Sequence, residues 1–373
     1  MIFYNEKKDA YEIDESKLLA KGGEGSIYKI NSNIVAKVLH GPKRTESRER
    51  KIKAMIASAE GKNTELLAWP KEILYDDNGN FAGYTMPYID GKTFSDAAAA
   101  RDHNLDWKHK LELAINLSAA VNNLHLLGHV VGDLNTGNVL YNDQTGDIAL
   151  IDCDSYHIKD PNDKKEYPCV VCKEEYIAPE LQYKFGTPDH YFTKESDYFA
   201  LAIIIFQLLA YDTHPFSVRV INDESLEKYF PLENIRAGRC IYFPETCEYC
   251  KDEIEKPLSF TLELNEIYPQ NICELFRRTF VEGHKDPKKR ASAEEWYHAL
   301  MNLRENLIAC KRHQGHYYYD GLEGCPLCSN MLNELVITYQ SKLESYMIEN
   351  PPACNQGSKL SGFVKSLREK LFK

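Results

Sequence analysis

The chain has 373 residues, 43% hydrophobic and 27% charged, with a formal net charge of -11. That length supports two domains and a sizeable core, and the acidic balance excludes a general nucleic-acid binder, which needs a basic footprint. Eleven cysteines follow an N-terminus that is charged within six residues and has no signal-peptide apolar stretch, so reduced thiols or metal in a cytoplasmic protein are expected, not a secreted disulfide framework.

Residues 11 to 95 read as short strands broken by turns, with one helix from about Glu46 to Ala59. Within them, AKGGEGSIYKI sets Gly22, Gly23 and Gly25 between the strand-like runs Ile13 to Leu19 and Ser26 to Ile30. Glycines let backbone N–H groups approach phosphate oxygens with no Cβ in the way. The same residues also make an ordinary tight hairpin. Twelve residues beyond Gly25, NIVAKVL sets Lys37 inside a strand, either as a solvated side chain or as a cation for those phosphates. A hinge is expected over Met86-Pro87-Tyr88-Ile89-Asp90-Gly91, where an apolar strand gives way to glycine and polar residues.

From Trp107 to Leu127 the spacing of Leu111, Ile115, Leu117, Val121 and Leu124 is helical. The stretch VVGDLNTGNVLYNDQTGDIALIDCDSY then puts Asp133 and Asn138 five residues apart, with Asp152 after the second of two short strands joined by a turn from Asp143 to Gly146. Asn138 and Asp152 are hard-oxygen ligands suited to a Mg²⁺ carried with nucleotide phosphates, and Asp133 is a suitable acceptor for a hydroxyl proton. After Glu180 the pattern is mostly helical to about Ile308. The longest apolar run, Phe199 to Ala210, contains Gln207, is too short to span a bilayer and reads as a buried helix.

Beyond Ile308 the texture becomes Cys/His-rich. CKRHQGHYYYDGLEGCPLC supplies two ligand pairs suited to tetrahedral Zn²⁺: Cys310 with His313 or His316, then Cys325 with Cys328. Unbound thiols or a redox pair are the alternative. With all four positions filled, such a site is structural, and a segment so poor in apolar residues needs its metal to fold. Two further CxxC pairs, Cys169/Cys172 and Cys247/Cys250, are either ordinary reduced cysteines or metal- or oxidation-sensitive sites, Cys240 and His214 being conceivable partners of the latter pair. The final segment, with Leu360, Phe363, Val364, Leu367 and Leu371 on one face among lysines, reads as a docking helix and not a membrane anchor.

The glycine loop, strand lysine, D-x-x-x-x-N and later strand-end Asp together resemble the protein kinase superfamily over roughly residues 11 to 308. YIAPE looks like the end of an activation segment, SDYFALAIIIFQLL like the buried helix whose Asp197 ties down the catalytic loop, and DPKKRASAEEW would offer Arg290 to Glu180. The resemblance implies an α+β, bilobal protein-kinase-like fold. Its N-lobe would run from about 11 to 88 and its C-lobe from about 92 to 308, followed by a zinc-ribbon-like segment over 309–330 and a helical tail over 331–373. It implies ATP, Mg²⁺ and a protein substrate. Gly22, Gly23 and Gly25 would cover the phosphates, Lys37 would contact them and pair with Glu49, and Met86 would be the gatekeeper. Tyr88 and Ile89 would offer backbone groups to adenine, Asp133 would orient the acceptor hydroxyl, and Asn138 and Asp152 would hold Mg²⁺.

The departures matter as much. Val131-Gly132 replaces the usual His-Arg, which argues against activation through a phosphorylated loop residue. Cys153-Asp154 replaces Phe-Gly, and Asn135 and Lys173 stand where a lysine and a threonine are usual, so Lys173 either supplies a displaced cation near Asp133 or faces solvent beside Glu174 and Glu175. The GDxNxxNVL pattern and the tail resemble bacterial cytoplasmic kinases of the tellurite-resistance-associated type, whose C-x5-H in this place favours His316 as the zinc ligand. That type implies a PP2C-like phosphatase and a von Willebrand A-like protein as partners. The leading reading is an active Ser/Thr protein kinase with a zinc-ribbon tail. The alternatives are a pseudokinase acting as a nucleotide-binding scaffold, favoured by the missing motifs, and a small-molecule kinase, opposed by YIAPE.

Overall fold

A computed structural model describes residues 1–95, 105–142, 146–163, 165–184, 187, 191–221, 227–326 and 328. Two compact units are present, Met1–Cys325 and Pro326–Lys373. The helical tail expected over 331–373 lies outside the described residues.

The first lobe is a seven-stranded sheet. Its strands are β1 (Ile2–Tyr4), β2 (Ala10–Glu12), β3 (Leu18–Lys21), β4 (Gly25–Lys29), β5 (Ile34–Leu39), β6 (Glu72–Tyr75) and β7 (Phe81–Pro87), in the order β2-β1-β6-β7-β5-β4-β3. The sheet starts before residue 11, because Tyr4 pairs with Tyr75 and Phe3 joins Ile13, Ala36, Val38, Leu74 and Ala82 in one apolar cluster. Three residues, Ile2 to Tyr4, are too short a run to show a strand period on their own. Helix α1 (Glu46–Ser58) begins at Thr45, whose hydroxyl accepts from the Arg48 amide at 3.3 Å. It buries Lys51, Ile52, Ala54, Met55 and Ser58.

A smaller sheet, β8 (Lys92–Thr93), β9 (Val139–Tyr141) and β10 (Ile148–Leu150), has Asn138 just before β9 and Asp152 just after β10. Paired amides tie it to the first lobe: Ala68 N–H donates to the Leu150 carbonyl at 2.8 Å, and Leu150 N–H donates to Leu66 at 2.9 Å. The second lobe is built on α2 (Trp107–Leu126), α3 (Lys194–Leu209), α4 (Pro231–Ala237), α5 (Gln270–Arg277) and α6 (Ala293–Glu305). Phe199, Phe206, Phe216, Phe276, Phe280 and Trp296 interlock there, each at most 1% exposed. Burying one such ring is worth about 2–3 kcal/mol. Thirteen of the sixteen residues of α3 are buried, so its polar members, Ser196, Asp197 and Gln207, each need a partner. No helix among the described residues is long and apolar enough to cross a membrane.

Candidate active site

At the phosphate end, the hairpin between β3 and β4 is closed by Gly22 N–H donating to the Gly25 carbonyl at 2.9 Å. A Cβ at Gly25 would lie 2.5 Å from the Val38 carbonyl oxygen, whereas Gly22 and Gly23 face open space. Gly25 therefore serves the sheet, Gly22 has its N–H on Gly25 and its carbonyl 3.0 Å from His40 Nε2, and Gly23 is the glycine whose surroundings stay open for a ligand. Lys37 lies on β5, 6% exposed. Its ammonium donates to Asp152 Oδ1 at 2.9 Å and to Asp154 Oδ1 at 2.6 Å. Burial works against that charge, but the Asp154 and Asp152 carboxylates outweigh it and hold the lysine pKa above its ordinary value.

The expected pairing of Lys37 with Glu49 is not formed. Glu49 accepts from the Tyr75 hydroxyl at 2.9 Å and sits 2.9 Å from Lys53. The Thr45 cap and the buried Ile52 fix the phase of α1, and Arg48, one turn before Ile52, sends Nη2 to Glu24 of the glycine loop at 2.6 Å. A one-residue error in phase turns a helical side chain by about 100°. The Arg48/Ile52 spacing of four residues was the available signal.

Asp152 follows β10 in the left-handed region, with φ 56° and ψ 35°. Such a conformation costs a non-glycine residue about 1–2 kcal/mol. A turn offsets this: Ser155 donates to the Asp152 carbonyl through its amide at 2.9 Å and its hydroxyl at 2.8 Å. The strain points the carboxylate into the cleft, where its side chain stays 42% exposed.

Asp133 lies on the loop before β9. Its Oδ1 accepts from Asn135 Nδ2 at 2.9 Å and from the Lys173 amide at 3.0 Å, and its Oδ2 accepts from Asn138 Nδ2 at 3.0 Å. Burial raises the Asp133 pKa, and these three donors pull it back. The Asn138 amide nitrogen being spent on Asp133, its oxygen is the atom left for a cation. Asn138 Oδ1 and the Asp152 carboxylate form a hard-oxygen set that fits Mg²⁺. The Lys173 ammonium does not reach this point. It pairs with Glu175 at 3.0 Å, and Asn135 with the Lys173 backbone amide brackets the carboxylate instead.

The loop is fastened from below by α3. Asp197 accepts from the Val131 amide at 2.7 Å and the Gly132 amide at 2.8 Å, and contacts His125 Nε2 at 2.8 Å. Gly132 has φ 78°, and a Cβ there would lie 2.8 Å from both Cβ and Sγ of Cys169. Where an arginine is usual, this chain packs the activation segment directly onto the catalytic loop through Val130, Cys169, Ile177, Leu181 and Phe192. Further along, Glu180 binds Arg290 through both carboxylate oxygens at 2.8 and 2.6 Å. A cavity of about 450 Å³ is lined by Lys173, Glu175, Tyr176, Asp212 and Phe230, among others, and adjoins Asp133 through Lys173, whose amide binds that carboxylate.

At the hinge, Met86 is buried and the Tyr88 amide donates to the Asn33 carbonyl at 2.8 Å. The Tyr88 N–H is thus spent within the protein, unlike the expectation that it would meet adenine. Burial raises the Cys169 and Cys172 thiols to about 12, which makes neither a reactive thiolate. Cys247 and Cys250 are core thiols packed with Tyr229 and Ile254. His214 contacts the Glu175 carbonyl at 3.0 Å, and Cys240 donates to that of Pro215 at 3.3 Å.

In the tail, the ligand atoms of Cys310, His316, Cys325 and Cys328 all lie within 4.8 Å of one another. A tetrahedral zinc places neighbouring sulfur and nitrogen ligands about 3.5–3.8 Å apart, and Cys325 Sγ lies 3.7 Å from His316 Nδ1. The Arg312 amide donates to Cys310 Sγ at 3.3 Å, as suits a thiolate. The donor set and spacing fit Zn²⁺. His313 is outside this group, its ring stacked on His316 at 3.9 Å.

A family model for the protein kinase domain matches residues 14–300. The chain is 29% identical over 324 residues to protein kinase YegI of Escherichia coli O157:H7, covering 83% of this chain and 48% of that protein. The corresponding protein of strain K12 is 28% identical with the same coverage. Serine/threonine-protein kinase nrc-2 of Neurospora crassa is 27% identical over 281 residues, 66% of this chain and 43% of that protein. The chain spans about half the length of the curated relatives it matches.

Proposed function

Because the chain belongs to the protein kinase domain family, we propose that it transfers the γ-phosphoryl group of Mg²⁺-bound ATP to a serine or threonine hydroxyl of a protein substrate. The observation that carries this reading is the hold on Asp133: Asn135, Asn138 and the Lys173 amide fix both of its oxygens. A carboxylate so fixed accepts the hydroxyl proton and orients the attacking oxygen. Lys37 and the open glycine turn at Gly23 receive the phosphates, while Asn138 and Asp152 hold the cation. Bound Mg²⁺ supplies charge neutralisation on the transferring group. Positioning and electrostatics then account for most of the rate. The neighbouring cavity, with Glu175 and Asp212 in its wall, gives a protein substrate a place beside Asp133.

The pseudokinase alternative draws on the missing His-Arg and Phe-Gly pairs. Against it stand four functional groups that meet in one cleft: Lys37, Asp133, Asn138 and Asp152. Labelled ATP with Mg²⁺, followed by mass spectrometry of modified residues, separates the two. Wild type is expected to transfer phosphate, Asp133→Asn to lose about 10²-fold or more in turnover while still binding nucleotide. Equal transfer by the two proteins would leave only the scaffold.

The tail supports a structural Zn²⁺ on Cys310, His316, Cys325 and Cys328. The apolar seat of Cys169 on Gly132 supports activity without activation-loop phosphorylation. Together with the GDxNxxNVL pattern, the tail favours the tellurite-resistance-associated type. That assignment would place the protein in the cytoplasm, with a PP2C-like phosphatase and a von Willebrand A-like protein as partners.

A further inference from the structure

Lys37 takes its buried anion from an unexpected place. In kinases of the usual pattern the strand lysine is held by a glutamate of the helix that follows it. Here α1 spends its acids elsewhere, Glu46 on Arg50 and Glu49 on Tyr75 and Lys53. What α1 turns inward is cationic: Arg48, bound to Glu24, and the buried Lys51. The anion comes instead from Asp154, whose side chain is wholly buried and whose Oδ1 lies 2.6 Å from the lysine nitrogen, closer than Asp152 at 2.9 Å. The Tyr84 hydroxyl and the Arg48 guanidinium also act on this buried carboxylate, but Lys37 is the cation that its Oδ1 meets at 2.6 Å.

We propose that Asp154 is the positioning residue that holds Lys37 toward the nucleotide phosphates, in the role a helix glutamate would otherwise fill. Its place makes this workable. Asp154 stands in the turn Cys153–Ser155, directly after Asp152. Both carboxylates that share the ammonium therefore belong to one rigid segment. When Asp152 turns to a metal ion, Lys37 keeps Asp154. The orientation of the lysine is then set from the floor of the cleft and does not depend on where α1 lies.

The proposal rests on the phosphotransferase reading, so its test reads nucleotide binding and lysine chemistry as well as turnover. Asp154→Asn keeps the shape and removes the charge. It is expected to weaken Mg²⁺-ATP binding about tenfold or more, as loss of a charged hydrogen-bond partner does. It is also expected to reduce the protection that Mg²⁺-ATP gives Lys37 against an amine-reactive reagent at fixed pH. A merely structural role would lower the melting temperature and leave that protection and the ATP affinity, both read below it, in place. Asp154→Glu is expected to restore part of the binding. Glu49→Gln is expected to leave affinity, KM for ATP and the protection of Lys37 at wild-type values, a result readable even if Asp154→Asn failed to fold. Wild-type protection and affinity in Asp154→Asn, or their loss in Glu49→Gln, would overturn the proposal. Absence of turnover in wild type alone would sink the kinase reading and leave the assignment of Asp154 to the binding and labelling results.

Discussion

Lys51 shows how much one side chain can cost. It lies 8% exposed on α1, and loss of hydration outweighs the nearby Asp154 and Cys169, bringing its pKa down to about 8. The unfolded chain keeps this proton up to the ordinary lysine value of 10.5, while the native protein releases it near 8. Between those values stability rises with pH, and below about 8 the full burial cost remains. Lys51→Met is expected to stabilise the fold at pH 7 by about 1–3 kcal/mol. That advantage should shrink as pH climbs from 8 toward 10, as read from urea unfolding midpoints. Not every residue-scale role could be read in advance. The D-x-x-x-x-N spacing and the strand lysine were visible because their chemistry is carried by side-chain type. Lys173 was weighed as a cation, yet it is its amide that meets Asp133, and a backbone donor leaves no trace in residue identity.

Among the elements, the decisive junction is the one between catalytic loop and activation segment. Gly132 is held at φ 78° with Cys169 against the place its Cβ would take. Gly132→Ala therefore meets both a backbone penalty of about 1–2 kcal/mol and an overpacking penalty of about 1–3 kcal/mol. Lower stability and lower turnover are both expected. Adding Cys169→Ala should return only the part of the steric share owed to Sγ, because the Cys169 Cβ and Phe192 stay within 3.0 Å of the new Cβ, and a double-mutant cycle of unfolding free energies resolves that part. Long elements were legible because their period repeats. The spacing of Leu111, Leu117, Val121 and Leu124 repeats often enough to mark α2, and the apolar run from Phe199 marks α3 as buried. Short ones were not: β1 has three residues, and the register of α1 against the cleft depends on its Thr45 cap and on packing. Asp154 was missed as a partner of Lys37 because the two lie 117 residues apart and meet only when the lobes close a common cleft.

For the molecule as a whole, the Cys/His hairpin stands apart energetically. The pairing of Leu307–Ala309 with Tyr317–Tyr319 is short, and its strand residues are only partly covered or exposed, so its order should depend on metal. One zinc per chain is expected by metal analysis, and Cys325→Ser should lose it. Chelation should expose residues 307–328 to proteolysis while the thermal transition of the two lobes persists. By contrast, the tie between Glu180 and Arg290 is permanent. The guanidinium is wholly enclosed and also serves the Gly283 and Glu195 carbonyls at 2.9 Å each. Replacing Glu180 alone strands the enclosed guanidinium, at a cost of about 3–5 kcal/mol, a large share of a domain's total stability. In evolutionary terms the two codons are locked together. A lineage that lost Glu180 alone would leave an enclosed cation, so a change in one segment calls for a change in the other, 110 residues away.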